Sequence, residues 1–503
     1  MKKKAHPMAL DISRRNFLGG IAGAMASYSP PALAGSASRS KRVLVLGAGM
    51  SGLTAALALL RRGHKVTVIE YQNRVGGRVL SLPLKNGQFS EAGAGHFRSN
   101  MPYVVSYVRH FNLPILSLND GLPRYMIDGK VGNAADLAHW PWPLNQEERG
   151  VSVASSLNRY LFRAGLDTDT VLDADWPHPE MLSRLDNIRL DTLLKSVGAS
   201  EAFCKVLGAH ASPFVGGAQA LSVMPRFAYH FGEPGLFRIA GGNEQLPIAM
   251  AKVIGHERII LNAPVRSIDQ SGRDVTVTVS DGRAFKGDAI ISTIPFSVLP
   301  EIKITPHWSA NKLKMIKEVE WDIIVKILIQ NRSPSWLAKN IHGWPMIGSD
   351  RPWERVIDIT GNEQGGYGNA FFYLNNKNAD AILNVPAEDR AQVIIEKFHG
   401  DMPGFFDDII GKQTFVWKDQ PWIKGAYGSL PLGGGWMIKE WSKPEGRIYF
   451  AGDYTTLKTG WVEGAIESGL RAARQIDPLV IPEGAPKIRH ELSRRRALEK
   501  SRI

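Results

Sequence analysis

The stretch Val43-Leu-Val-Leu-Gly-Ala-Gly-Met-Ser-Gly52 decides the fold. Its apolar start predicts a buried strand, and Gly47-x-Gly49-x-x-Gly52 then opens an apolar-periodic helix that reaches about Arg62. The three glycines have separate tasks. Gly47 permits a tight turn, Gly49 lets a pyrophosphate approach the backbone, and Gly52 lets helix and strand pack together. Met50 and Ser51 sit at the helix N-terminus, which faces the phosphates. A second apolar strand, Val66 to Ile69, ends on Glu70, an acid at the spacing of a ribose-hydroxyl acceptor. A lone GxGxxG could be a glycine-rich turn; strand, helix, strand and acid in register predict a dinucleotide site.

The 503 residues are enough for two or three domains, and 44% apolar content makes the chain globular. The net charge of +13 is concentrated at the ends. Residues 1–34 and 481–503 carry +4 each, leaving +5 on the body, with no interleaved basic and aromatic surface suited to nucleic acid. The one cysteine, Cys204, excludes an intramolecular disulfide and any cysteine-cluster metal site, and reads as a buried structural thiol. No HExxH and no carboxylate-rich metal loop occurs, so no metal is expected.

Residues 1–34 read as an export signal: a basic start, Ser13-Arg14-Arg15-Asn-Phe17-Leu18, a mild apolar run to about Ala26, and a small-residue cleavage site at Ala32-Leu-Ala34. The run is too short to span a bilayer stably. A twin-arginine signal suits a protein that folds around its cofactor before crossing. The expected location is periplasmic or secreted, with the mature chain starting near Gly35.

The next motif separates one dinucleotide from another. Arg74-Val-Gly-Gly-Arg78 resembles the RxGGR extension of the flavin amine oxidase family, in which the second arginine and its glycines cover the FAD phosphates. Tyr449-Phe-Ala-Gly-Asp453-Tyr-Thr followed by Thr459-Gly460-Trp461-Val-Glu-Gly464 is similar to the C-terminal FAD motif of amine and L-amino-acid oxidases. There Asp453 would accept from a ribityl hydroxyl. The helix starting near Val462 would aim its N–H groups at the flavin pyrimidine, where reduction builds negative charge. Val265 is read as a further FAD contact.

The resemblance implies an α/β fold: a Rossmann-like FAD-binding domain interleaved with an α+β substrate domain that carries a helical insertion. The expected FAD-binding pieces are 41–100, 236–310 and 411–478. The substrate domain takes 101–235, the helical part, and 311–410; a basic tail occupies 479–503. Within these, Val275–Val279 reads as an edge-like strand closed by a hairpin turn at Asp281-Gly282. The tail is either a solvated helix or a surface for a membrane or partner.

Four site expectations follow from the resemblance. Lys326, inside the apolar run Trp321 to Ile329, matches a lysine bridged by water to flavin N5, with a snorkelling edge lysine as the alternative. Tyr427 and Trp461 match paired aromatics facing the flavin, beside Gly460. Ala426 stands where some monoamine oxidases carry a flavin-linking cysteine, so FAD is expected to bind non-covalently. Gly95-His96-Phe97-Arg98 is similar to the Gly-x-x-Arg of L-amino-acid oxidases, whose arginine clamps the substrate carboxylate. Arg98 could instead pair a phosphate.

One departure concerns Arg355-Val-Ile-Asp-Ile-Thr360. A substrate-facing tyrosine is often offered there, whereas this chain has Asp358 and Ile359. Asp358 would suit a basic substrate if it pointed inward.

Together these features imply FAD-dependent oxidation of an L-amino acid, with hydride transfer to the flavin, imine hydrolysis and peroxide formation. The nearest rival is an oxidase or dehydrogenase of a carboxylate-free amine, with oxygen or a periplasmic electron carrier as acceptor. A carotenoid-type desaturase or a non-catalytic flavin-binding protein is a more distant alternative. Oligomeric state is left open, a homodimer being one option.

Overall fold

The computed structural model describes residues 40–118, 121–166, 176–211, 219–224, 235–341, 346–361 and 366–481. The export segment 1–34 and the tail beyond Ile481 lie outside the described residues. The elements that build the site are, in chain order, β1 (Arg42–Leu46), α1 (Met50–Arg61), β2 (Lys65–Ile69), β3 (Phe97–Arg98), α2 (Pro102–His110), β4 (Leu236–Ile239), β5 (Ile259–Ile260) and β6 (Ala289–Ser292). They continue with β7 (Ile324–Asn331), β8 (Arg355–Asp358), β9 (Gly368–Asn375), β10 (Ile409–Val416), β11 (Ile448–Phe450) and α3 (Val462–Ile476).

A Rossmann-like sheet in the order β5-β2-β1-β6-β11, parallel throughout, carries the opening motif. Its strands are apolar on both faces because both faces are covered, as parallel sheets require. Val43, Val45, Val68 and Ile291 pack against α1, α3 and the helix Gln245–Ile254. Leu44, Leu46, Ile290 and Ile448 pack against a second sheet, built from Val265–Asp269, Val275–Val279, Ala284–Gly287 and Lys303–Thr305.

A seven-stranded sheet supplies the substrate side. Its order is β10-β7-β9-β8, then Ile347–Ser349, Arg124–Ile127 and Lys130–Asn133. Strand periodicity divides its residues between two faces. Val325, Ile327, Val356, Phe372 and Leu374 pack against the helices Asn376–Leu383 and Arg390–Asp401. Ile324, Leu328, Ile357 and Phe371 lie on the other face, toward Tyr427 and Trp417. A separate helical cluster, including Val153–Arg163 and Glu201–Ala211, packs on Tyr125 and Ile127. Cys204 is buried there, and burial pushes its thiol up to about 12.

Three expectations change. The strand Val275–Val279 is internal, paired with Val265–Asp269 on one side and Ala284–Gly287 on the other. Alternating polarity reports that one face is solvated, not how many neighbours the strand has. Helix α2 belongs with the FAD-side core, because Val104, Tyr107 and Val108 join the cluster of α1 and α3. The boundary at 411 also shifts, since β10 pairs with β7 along the substrate sheet. No helix among the described residues is long and apolar enough to cross a membrane.

Candidate active site

A cavity of about 420 Å³ runs from the opening glycine motif to the inner face of the seven-stranded sheet. That size is ordinary for a cofactor or ligand site.

One end is built largely from backbone. Gly47 has φ of +107°, and a Cβ there would meet Thr293 Oγ1 at 2.3 Å. A Cβ on Gly52 would lie 2.0 Å from the Gly47 carbonyl oxygen, so this glycine closes α1 onto β1 and does not line the cavity. Gly49 differs: nothing lies within 4 Å of its Cβ position. Open space over the middle glycine, at the N-terminus of α1, is the cradle a pyrophosphate needs. Met50 and Ser51 line the same end. Glu70 faces it too, while its carboxylate accepts the N–H groups of Ala48 at 2.6 Å and Gln72 at 2.8 Å. Burial raises its pKa and those two donors oppose the shift. Val265 lines the rim.

Arg78 crosses from the RVGGR loop to the C-terminal motif. Its guanidinium donates to both oxygens of Asp453, one at 2.9 Å, and to the Ala426 carbonyl at 3.0 Å. Asp453 also accepts the Gly460 N–H at 2.7 Å. The two groups expected to meet phosphate and ribityl therefore also hold one another, pinning Gly460 and Trp461 beside α3. Val462 begins that helix at the cavity wall. The residues present fit FAD: an open phosphate cradle, a ribose acid, and a helix N-terminus at the far end.

The other end is built from side chains. Lys326 on β7 donates to the carbonyl oxygens of Glu91 at 3.0 Å and Gly93 at 2.7 Å, and its Nζ lies 4.0 Å from the Phe371 ring centre. Burial lowers its pKa to about 7, opposed by the field of Glu91. Gly95 sits against this group, since a Cβ there would be 3.2 Å from Phe371 and 3.6 Å from Lys326 Nζ. Tyr427 and Trp461 both line the cavity, and the Tyr427 hydroxyl meets that of Tyr373 at 3.1 Å. His96 stands edge-on to Trp461, with ring centres 5.8 Å apart. Burial, with Arg98 and Lys326 nearby, holds its imidazole well below the usual range, hence neutral.

The structure thus brings together Gly47, Gly49, Met50, Ser51, Glu70, Arg78, Gly95, Val265, Lys326, Tyr427, Asp453, Gly460, Trp461 and Val462 around one cavity. Arg98 is not among the lining residues. It lies buried on β3, paired in register with Leu236 of β4, and its charge is felt by His96 and His210. Asp358 also stays out: it shares a face with Val356, away from the cavity, and accepts the Thr360 N–H at 2.9 Å. The cavity residues that carried no role in the sequence reading include His96, Tyr373 and Arg355. The signal for Arg355 was an arginine at strand alternation with the apolar Ile357 and Ile359, two and four positions on. No cluster of His, Cys, Asp or Glu able to hold a metal occurs among the described residues.

Known proteins match this architecture along nearly its whole length. A flavin-dependent L-tryptophan oxidase of Lentzea aerocolonigenes is 28% identical, covering 87% of this chain and 98% of its own. An L-amino-acid oxidase of Bothrops moojeni is 28% identical over 88% and 90%. Among solved structures, putrescine oxidase bound to putrescine superposes with a TM-score of 0.75 at 23% identity, covering 87% and 99%. Cyclohexylamine oxidase from Brevibacterium oxydans gives 0.72 at 19%, covering 87% and 98%. The profile of flavin containing amine oxidoreductases spans residues 50–477, and the chain belongs to that family.

Proposed function

We propose that this flavoenzyme oxidises the C–N bond of an L-amino acid. The observation that carries the reading is the charge of the cavity's substrate end. Lys326 and Arg355 both face it, and among the described residues no carboxylate lines that end. The acids that do line the cavity lie elsewhere and have partners: Glu70 on backbone N–H groups, Asp453 on Arg78, and Glu301 on Lys424. A wall presenting Lys326 and Arg355, the latter ion-paired to the buried Glu354, suits a substrate with a carboxylate better than a diamine. The names of the L-tryptophan and L-amino-acid oxidases above support the same reading.

Bound FAD supplies the two-electron acceptor. Gly47, Gly49, Ser51, Glu70, Arg78 and Asp453 would hold it, with Val265 and Val462 at its flanks. The chain's own groups then orient the substrate. Tyr427 and Trp461 wall its path to the flavin. Oxygen as electron acceptor, and export through the twin-arginine signal to the periplasm, complete the proposal.

The test is anaerobic reduction of the purified flavoprotein by L-amino acids, their D-enantiomers and their decarboxylated amines. Bleaching by L-amino acids at least about 30-fold more efficient than by the matching amines is expected, the size of one desolvated charge contact. Equal efficiency would replace the reading with a carboxylate-free amine oxidase.

A further inference from the structure

We propose that Arg355, rather than Arg98, binds the substrate's α-carboxylate. The proposal deepens the amino-acid reading and rests on it.

Strand register provides the first argument. Lys326 on β7 is paired with Tyr373 on β9. Continuing the pairing of Val356 with Phe372 by one residue sets Arg355 of β8 opposite the same Tyr373. Lys326, Tyr373 and Arg355 therefore form one transverse row. With strands ~4.8 Å apart, about 10 Å of backbone separates the lysine from the arginine. Their chain neighbours Val325, Phe372 and Val356 are buried on the opposite face, so the row turns toward the cavity. All three residues line it.

The second argument is how the guanidinium is held. Its Cζ lies 5.4 Å from the Tyr373 ring centre, and Nη2 is 3.3 Å from Glu354 Oε1. Glu354 is drawn away at the same time by the Asn375 N–H at 2.8 Å and by the amides of Asn375 and Asn378, at 2.6 and 3.2 Å. Tyr373 is fixed in turn through its hydroxyl contact with Tyr427. A planar guanidinium set against an aromatic ring, on a rigid strand that lines the cavity, has the geometry to meet a carboxylate in bidentate fashion. Arg98 lacks this placement: its strand has two residues, and its side chain lies outside the cavity lining.

The test uses the FAD-loaded protein and benzoate, a carboxylate with no amine to oxidise. Wild type should bind benzoate with a change in the flavin absorbance, in competition with L-amino acids. Arg355→Gln should raise the benzoate Kd and lower the efficiency of reduction by the best L-amino acid by about 30-fold or more. Reduction by the decarboxylated amine should change less than about threefold, because that substrate never made the contact. Arg355→Lys should recover part of the loss, and Arg98→Gln should move benzoate binding less than about fivefold. If Arg98→Gln causes the selective loss and Arg355→Gln does not, the anchor is misassigned while the amino-acid reading survives. If wild type itself reduces equally with the amino acid and the amine, that reading fails and the anchor falls with it. Should the Arg355 variants fail to hold flavin, a crystal structure of wild type with benzoate decides: carboxylate oxygens on Arg355 support the proposal, and on any other group overturn it.

Discussion

The two ends of the cavity are made of different materials. The nucleotide end is mostly backbone: glycines, strand carbonyls, and the N–H groups at the start of α1, with Glu70 and the Arg78–Asp453 pair as its side-chain fixtures. The substrate end is mostly side chains from β7, β8 and β9, set by register between strands far apart in the chain. A backbone site tolerates only the glycines that shape it. A side-chain site can change specificity one residue at a time while the sheet stays intact.

The sharpest way to break this contrast lies inside the opening motif. Gly52→Ala would put a methyl group 2.0 Å from the Gly47 carbonyl oxygen and 3.2 Å from Val45. Backbone faces backbone there, so relief requires α1 to leave β1. We expect at least about 3 kcal/mol of destabilisation and no soluble flavoprotein, read by gel filtration and flavin content. Gly49→Ala has open space in the free protein. Its apoprotein should melt within a few degrees of wild type, while the Kd for FAD rises by roughly 100-fold, on the order of 2.7 kcal/mol. An unstable Gly49→Ala beside an intact Gly52→Ala would reverse the division between cofactor space and packing.

At the substrate end, Lys326→Met should slow reoxidation of the reduced flavin by oxygen by about 10²-fold, the scale of losing one preorganised charge. Burial holds the wild-type lysine down to about 7. It is an ammonium below that pH and neutral above, so the oxygen step should be fastest at low pH and fall through pH 7; the methionine variant should be flat. Stability runs the other way. Between about pH 7 and the ordinary lysine pKa of 10.5, the unfolded chain keeps a proton the folded chain has released, so apoprotein stability gains with rising pH. Melting curves that show no such gain relative to Lys326→Met would mean the lysine keeps its charge when folded.

How much was legible follows the same division. The opening motif, RVGGR and the C-terminal motif are contiguous, so their chemistry is written locally, and Lys326 was visible as a charge in an apolar run. Arg355, Tyr373 and His96 were harder to assign. Arg355 becomes a wall residue only when β8 lies beside β9 with Val356 opposite Phe372, a pairing no local pattern encodes. Arg98 illustrates the converse: the right residue type in a suggestive motif, placed two positions past His96, which does reach the cavity.

A smaller effect concerns attachment. Ala426 lines the cavity and its side chain carries no nucleophile. Acid precipitation should release all the FAD, leaving no flavin fluorescence on the denatured polypeptide in a gel. Fluorescence that stays with the chain would require a linking residue elsewhere in the cavity.

The smallest expected effect is at Asp358. An acid at this position would draw basic amino acids if it faced the substrate. It shares the Val356 face of β8, beneath the helices that cover the sheet, while Arg355 and Ile357 take the cavity face. Its carboxylate accepts the Thr360 N–H at 2.9 Å, where the chain leaves the strand. Asp358→Asn keeps an acceptor oxygen for that bond. The ratio of kcat/KM for L-lysine to that for L-leucine should stay within about twofold, because a charge behind the sheet makes no contact with either side chain. Arg355→Gln removes a cation from the cavity face of the same short strand and should weaken both substrates together. If Asp358→Asn selectively weakens L-lysine by about tenfold or more, β8 presents its other face to the substrate, and the assignment of Arg355 to the cavity wall is wrong as well.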